Sequence, residues 1–428
     1  MPLARRSAAL LAGTLAVAGL TLPGAPAAYA VETSCDQIRP DTTDADDVTA
    51  PSAPFEELGV QRAWELLDAR GRRPGEGVGV AVVDSGIADV RGLPEVGGAR
   101  IAGHARSADD AHFLGTAVAG LIAGQEREGR GGPVGIAPYA GLYDVKVYDT
   151  PVDSDDGRYS GLTADGVVAG LQWVVAHVDS TPRIRIATVP SAVRPSKALE
   201  RVVARLDALG VAVVAAAGNR PSAEGDPVLG DFVQPRQGED AAGVVFPAGY
   251  DAVVAATSSA PRGVDPRDLV VPSSAADVAV PTVDGVSYGV NGVTCLLLPE
   301  NASTSWAAAE VSGILALLMS AYPRETTDQV VQRLYRTATG VGDLTTRLTG
   351  HGIAQPVEAL QRPLAFDRRG DPERSETSNT TLQAEAPRAE ADVLEETRRD
   401  AVWWGLAGGG ALVVALLLRP VLARRRER

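Results

Sequence analysis

Lysine is nearly absent from this chain of 428 residues, and arginine supplies almost all of its positive charge. Only Lys146 and Lys197 occur, and the formal net charge is −14 at pH 7. Because nucleic-acid-binding surfaces are basic, this balance argues against nucleic acid as a partner. Acidic residues are abundant, but no cluster of them has the ligand spacing of a calcium-binding loop. The sequence predicts neither a metal site nor a cofactor.

The first 30 residues have the three parts of a secretory signal peptide. Arg5 and Arg6 form the basic end, residues 8–22 the apolar run, and residues 28–30 the small-residue cleavage site. A retained N-terminal anchor is the alternative, which is disfavoured because glycine interrupts the apolar run and Pro23 ends it. We therefore predict an exported chain.

Cysteine is scarce, with Cys35 and Cys295 the only two in the chain. Export permits a disulfide, and only one intramolecular pairing exists, so we predict a bond between them rather than two free thiols. The bond would hold the acidic extension, residues 31–54, near the segment that precedes Ser305. This extension is too short to fold as an inhibitory pro-domain.

A second apolar segment, residues 401–418, is uncharged and just long enough to cross a bilayer. Trp403 and Trp404 would mark the outer interface, and the arginine-rich residues 419–428 the cytoplasmic side. The acidic, proline-interrupted residues 363–400 are predicted to form a disordered stalk. The predicted localisation is the cell membrane, single-pass, with the main domain outside the cytoplasm.

Strand patterns alternate with helix patterns over residues 55–362. Residues 77–84 form a continuous run of small and β-branched apolar residues, which indicates a strand buried on both faces of a parallel sheet. Further strands are predicted at 141–147, 183–189, 212–219, 253–257 and 277–280, and helices at 115–124, 162–177, 196–209, 326–337 and 356–360. This alternation predicts an α/β domain: a doubly wound parallel sheet with helices on both faces.

Polar residues stand where these elements begin or end. Asp84 ends the first strand, and Asn219 ends the strand at 212–219. Ser305 is predicted to lie in the first turn of a long buried helix, after a polar turn at 301–304. Taken alone, Asp84 is equally well explained by an Asx-turn and Ser305 better explained by a helix cap. Open α/β sheets, however, place functional residues at the carboxyl ends of their strands.

The order Asp84, Gly115-Thr116, Asn219, Ser305 resembles that of the subtilisin-type serine proteases. Residues 135–138 (Gly-Ile-Ala-Pro) and 350–356 fit the same family. The signal peptide, the short cysteine-containing extension, residues 58–64 and the C-terminal anchor resemble one branch of it, the mycosins. Mycosins are the membrane-anchored subtilases of type VII secretion systems. The resemblance covers roughly residues 35–428.

The resemblance implies a role for each of these residues. Ser305 would be the nucleophile, Asp84 the carboxylate that orients the base, and Asn219 the oxyanion donor. A histidine is expected directly before Gly115, but that residue is Leu114, which cannot accept a proton. The nearest histidine is His112, which would serve as a substitute base only if residues 113–114 bulged out before the helix.

Three further positions depart from the family pattern. Ser303 stands where the family has glycine, Ala309 where it has proline, and Pro190 lies in the strand that would bind substrate, where it removes a backbone donor. We therefore weigh two functions. One is a catalytically impaired pseudoprotease that acts as an extracytoplasmic structural component of a type VII secretion membrane complex, with the other components of that complex as partners. The alternative is an active serine endopeptidase that uses Ser305 with His112 as base on a polypeptide substrate.

Overall fold

The computed structural model describes residues 33–43, 45–109, 112–125, 134–222, 225–297, 299–341, 344–367 and 394–424. The chain divides into two units, Met1–Glu373 and Arg374–Arg428. The predicted signal peptide and most of the predicted stalk lie outside the described residues. The finer domain boundaries at residues 54, 362 and 400 remain predictions.

The first unit is built on a parallel sheet of seven strands, in the order β2-β3-β1-β4-β5-β6-β7. A separate antiparallel hairpin, β8-β9, follows the sheet along the chain. The strands are β1 (Gly79–Asp84), β2 (Glu95–Arg100), β3 (Gly141–Lys146), β4 (Ile184–Val189), β5 (Ala212–Ala216), β6 (Val253–Ser259), β7 (Val278–Pro281), β8 (Gly285–Tyr288) and β9 (Thr294–Leu297).

Helices cover both faces of this sheet. They are α1 (Ala53–Glu57), α2 (Val60–Asp68), α3 (Leu114–Ala123), α4 (Ala164–His177), α5 (Lys197–Ala208), α6 (Pro266–Leu269), α7 (Pro299–Ala321), α8 (Thr327–Thr337) and α9 (Pro356–Gln361). Alternate residues of β1 divide between the two layers: Val80 and Val82 pack in the core that contains α3 and α7, and Ala81 and Val83 in the core that contains α4 and α5. The predicted doubly wound α/β architecture is confirmed.

The N-terminal extension is fixed to the β8-β9 hairpin. Cys35 and Cys295 form the predicted disulfide, with their Cα atoms 5.0 Å apart. Asp47 accepts a hydrogen bond from the backbone N–H of Thr294 at 2.7 Å, and Ile38 is fully buried. The extension, which has no core-forming periodicity, therefore still contributes side chains to the core.

The second unit contains α10 (Glu395–Arg424). Its segment Glu396–Arg419 has a mean hydropathy of 2.0, so it is long and apolar enough to cross a membrane. The predicted span, residues 401–418, lies within it. Residues 303–321 of α7 are also long and apolar, but they lie in the core of the first unit.

Candidate active site

A cleft of about 620 Å³ opens at the carboxyl edge of the sheet. The carboxyl ends of parallel strands lie at the same edge of a sheet, so the residues after β4 and β5 lie close together there. The first residue of α3 and the second turn of α7 lie at the same place. The lining brings together four of the five residues singled out in the sequence, whereas Asp84, at the end of β1, is buried and not part of the lining. The lining includes His112, Phe113, Leu114, Pro190, Ser191, Gly218, Asn219, Thr304 and Ser305.

Ser305 lies deeper in its helix than the sequence suggested. Helix α7 begins at Pro299, so Ser305 is its seventh residue and the expected turn at 301–304 is wrong. In α-helix geometry a backbone N–H of the second turn bonds to the carbonyl four residues earlier, so that of Ser305 is not among the free donors of the first turn. The side chain is 4% exposed, and its hydroxyl donates to the carbonyl oxygen of Pro190 at 2.5 Å.

Asp84 ends β1 and is fully buried. Its Oδ1 accepts hydrogen bonds from the backbone N–H of Ser85 at 2.6 Å and from the hydroxyl of Tyr148 at 2.8 Å. Its Oδ2 has no hydrogen-bond partner among the residues that the structure describes. Burial raises the pKa of Asp84 to about 6, against the opposing effect of the two hydrogen bonds.

Leu114 is the first residue of α3 and is 8% exposed. The two residues that follow it dock the helix onto the loop after β1: Gly115 N–H donates to Ser85 Oγ at 3.1 Å, and Thr116 Oγ1 accepts from Ala88 N–H at 2.9 Å. A Cβ atom on Gly115 would lie 2.3 Å from the carbonyl oxygen of Gly86. These contacts fix the position of Leu114 at the cleft.

His112 lines the same cleft as Leu114 and Ser305. Its Nδ1 accepts a hydrogen bond from the backbone N–H of Leu114 at 3.4 Å, so the imidazole faces the first residue of α3. Burial, and then the charge of Arg39, lower the pKa of His112 to about 4, which leaves the ring neutral at pH 7. No hydrogen bond in the described part of the chain joins His112 to Ser305 or Asp84. Residues 113–114 do not bulge, since Phe113 caps α3 and Leu114 begins it.

Asn219 follows β5 and faces the start of the Ser305 turn. Its Oδ1 accepts from Thr304 N–H at 2.7 Å, Thr304 Oγ1 at 2.9 Å and Ser303 Oγ at 3.2 Å. A backbone N–H can only donate, so the amide oxygen is on that side and the NH2 group points away from it. Its expected role as an oxyanion donor stays a prediction.

Two polar residues of the site were not singled out in the sequence. Tyr148 hydrogen-bonds to Asp84, and Ser85 holds both Gly115 and, through its hydroxyl, the carbonyl oxygen of His112 at 3.4 Å. Both follow the carboxyl ends of neighbouring strands, β3 and β1, and this position is the signal by which they could have been found.

Comparison with known proteins identifies the architecture. The model of the subtilase family matches residues 75–352. The chain belongs to the subtilase family.

Relatives of this subtilase include proteins of two kinds. Mycosin-1 of Mycobacterium tuberculosis is 31% identical over 328 residues, which cover 69% of this chain and 71% of that protein. Subtilisin DY of Bacillus licheniformis is 31% identical over 281 residues, which cover 65% of this chain and 89% of that protein.

Solved structures give the same result. The MycP3 protease from the type VII (ESX-3) secretion system has a TM-score of 0.58 at 26% identity, with 77% of this chain and 92% of that one covered. MycP1 from the ESX-1 type VII secretion system has a TM-score of 0.60 at 21% identity, with coverage of 78% and 92%, and this second likeness concerns the fold. This subtilase is therefore mycosin-like and related to proteases of type VII secretion systems, as its sequence predicts.

Proposed function

We propose that this subtilase is catalytically impaired and acts as an extracytoplasmic structural component of a type VII secretion membrane complex. The observation that carries the proposal is Leu114. It lines the cleft beside Ser305, at the position where the family resemblance places the general base. An alkyl side chain there cannot take the proton that a serine must lose to attack a carbonyl carbon.

The hydrogen bonds of the other two triad positions support the same proposal. The Ser305 hydroxyl donates a hydrogen bond to the Pro190 carbonyl, which is too weak a base to remove the proton. Asp84 accepts a hydrogen bond from Tyr148, where an imidazole would be expected. In enzymes of this kind, loss of the triad histidine lowers turnover by about 10⁶, and the rest of the site retains about 10³–10⁴ over the uncatalysed reaction. This remaining activity is too low for a useful protease.

The structural role is inferred from the chain's termini and its relatives. Helix α10 would anchor the subtilase domain to the membrane, with residues 419–428 on the cytoplasmic side and the domain outside. The related MycP1 and MycP3 proteins come from type VII secretion systems. We infer that the partners of this chain are components of such a system.

An active serine endopeptidase with His112 as base is the alternative, and it has one observation in its favour. His112 and Ser305 line the same cleft, and the imidazole is neutral at pH 7, the form that accepts a proton. A base with a pKa of about 4 is weak, however, and its Nδ1 is directed at the Leu114 N–H.

Labelling with a fluorophosphonate, which reacts with activated serines, separates the two. We expect the purified full-length chain in detergent to label poorly, at the level of Ser305→Ala. Leu114→His should raise labelling, because it supplies an imidazole at the position where the family resemblance expects the general base, and His112→Ala should change nothing.

Urea unfolding of each variant serves as the control for folding, since Leu114 is buried. Strong labelling of the unaltered chain that disappears in His112→Ala would establish His112 as the base and refute the impaired-protease proposal.

A further inference from the structure

A second cavity, of about 670 Å³, opens at the opposite edge of the sheet, where β1 and β4 begin. Its lining contains four arginines, Arg72, Arg73, Arg183 and Arg185, and we call it the arginine pocket. In a chain with a net charge of −14, such a concentration of cations is not a consequence of composition. It calls for an explanation in terms of what the pocket binds.

The two carboxylates of the lining, Glu76 and Glu325, form no ion pair with Arg72 or Arg185. Glu76 is paired with Arg73, and Glu325 is paired with Arg333, which lies outside the lining. Outside the lining, Asp179 is 3.7 Å from Arg183 Nε, in a pair that is mostly exposed to solvent and therefore weak. Among the described residues, no carboxylate oxygen lies within 4.0 Å of a guanidinium nitrogen of Arg72 or Arg185.

Arg185 is the least exposed of the four arginines. It is half-buried, and its Nη2 donates only to neutral oxygens, the carbonyl of Glu325 at 3.3 Å and Oγ1 of Thr327 at 3.4 Å. Burial, and then repulsion from Arg183, lower the pKa of Arg185. The attraction of an anion in the pocket would offset both effects.

Helix α8 contributes a second feature that favours an anion. Its first residue, Thr327, lines the pocket, and the helix is 11 residues long, so the positive end of its dipole lies at the pocket. Guanidinium forks and helix N-termini are the groups by which proteins most often bind phosphate. The two features occur here on separate elements that meet at one cavity.

We propose that the arginine pocket binds a phosphate group, supplied by the headgroup of an anionic phospholipid. The lipid source rests on the proposed membrane anchoring of this chain. Gln329, in the first turn of α8, donates to the carbonyl of Asp367 at 2.6 Å, so the chain leaves the domain beside the pocket. The 26 residues from 368 to 393 then lead to α10 and span at most about 95 Å. The tether thus starts on the pocket's side of the domain.

The test uses the full-length chain in nanodiscs of phosphatidylcholine alone or mixed with phosphatidylglycerol. Hydrogen–deuterium exchange is measured in peptides that cover residues 72–78 and 183–186. We expect slower exchange in the anionic discs. Each arginine removed should weaken binding of the pocket to the anionic surface about fivefold, the contribution of one basic residue at such a surface. The variants are Arg72→Ala alone and the double variant that combines Arg72→Ala with Arg185→Ala.

Arg201→Ala/Arg205→Ala is the matched control, because both residues are exposed arginines on α5, outside the pocket lining. This variant should keep the full difference between the two kinds of disc. Arg72→Ala alone keeps the test interpretable if the loss of Arg185 disturbs folding, since Arg72 is exposed.

A second arm distinguishes the sources of phosphate. Pyrophosphate is added to the chain in neutral detergent, and the same peptides are followed. Protection by phosphatidylglycerol discs beyond that given by pyrophosphate supports the lipid source, whereas equal protection by pyrophosphate alone overturns it in favour of a soluble phosphate. Protection by a polyglutamate peptide but by neither phosphate source would assign the pocket to an acidic protein, and no protection by any of them would also overturn the proposal.

Loss of the membrane anchor and loss of the phosphate site would give different results. If α10 does not anchor the chain, the protein will separate from the nanodiscs on gel filtration, and the proposed topology is wrong. The pyrophosphate arm still tests the pocket in that case, because it needs no bilayer.

Discussion

Asp84 has a buried carboxylate without a cation beside it. In a working triad the carboxylate faces an imidazole that becomes positively charged during the reaction. Here it faces the Tyr148 hydroxyl and the Ser85 N–H, and one of its oxygens has no partner in the described residues. Burial therefore dominates and raises the pKa of Asp84 to about 6. The protein is thus destabilised by the ionised form of this side chain.

This environment predicts how stability depends on pH. The folded-state pKa of about 6 lies above the unfolded value of about 3.9, so the contribution of Asp84 is most favourable below pH 4 and is lost as pH rises through 6. Asn cannot ionise, so the free energy of unfolding of Asp84→Asn, relative to that of the unaltered chain, should rise by about 2 kcal/mol between pH 4 and pH 8. Urea unfolding across this range measures the difference.

Asp89→Asn is the control, since Asp89 is exposed and follows the same strand. It should keep the pH dependence of the unaltered chain. A gap between Asp84→Asn and the unaltered chain that stays constant from pH 4 to pH 8 would mean that Asp84 is solvated or paired in solution.

At the scale of elements, the start of α3 is held by backbone contacts that leave no room for a side chain. Gly115→Ala would place a Cβ atom 2.3 Å from the Gly86 carbonyl oxygen, a backbone atom that cannot rotate away. We expect a loss of about 1–3 kcal/mol in the free energy of unfolding, because α3 must shift from the loop after β1. Urea denaturation of the full chain in detergent is the measurement.

Gly243→Ala is the matched substitution, because a Cβ there meets no atom within 4 Å. It should change stability by less than about 0.5 kcal/mol. If the two variants unfold at the same urea concentration, the close approach of α3 to Gly86 does not exist in solution.

The elements with strong periodicity could be predicted from the sequence. The buried run of β1, the capped helix α8 and the helix packed through Ala and Gly at α3 all lie within about three residues of their predicted bounds. Strand β2 was missed because it is a largely exposed edge strand containing Gly97 and Gly98, which lack a strand signal.

The predictions that failed depended on tertiary contacts. Residues 301–304 are polar and predict a turn, but they belong to α7, which begins at Pro299. The side chain of Asn219 accepts a hydrogen bond from Thr304 N–H in this part of the helix. The pairing of Cys35 with Cys295 was predictable because no other pairing exists, whereas the bond between Tyr148 and Asp84 joins two strand ends that only the fold brings together.

At the scale of the whole molecule, positions expected for catalysis and positions needed for folding differ in how well they fit the family. By the family resemblance that the sequence suggests, Leu114, Pro190 and Ser303 depart from the pattern expected of a protease, whereas the seven-stranded sheet, the disulfide and the uncharged segment 401–418 are present. A chain under no selection would be expected to gain charges in that segment or prolines in α4, and neither has happened. This contrast supports a role that requires the folded, tethered domain and not its hydroxyl nucleophile.

A secretion assay in the native host, with two variants side by side, shows whether the protein acts through its folded, tethered domain or through its hydroxyl. Ser305→Ala should leave secretion unaffected, because the account gives the hydroxyl no chemical task. Deletion from residue 401 onward should abolish secretion, because the freed domain loses the local concentration that tethering provides. Loss of secretion in Ser305→Ala, at normal protein levels, would contradict the account and show that the hydroxyl is used.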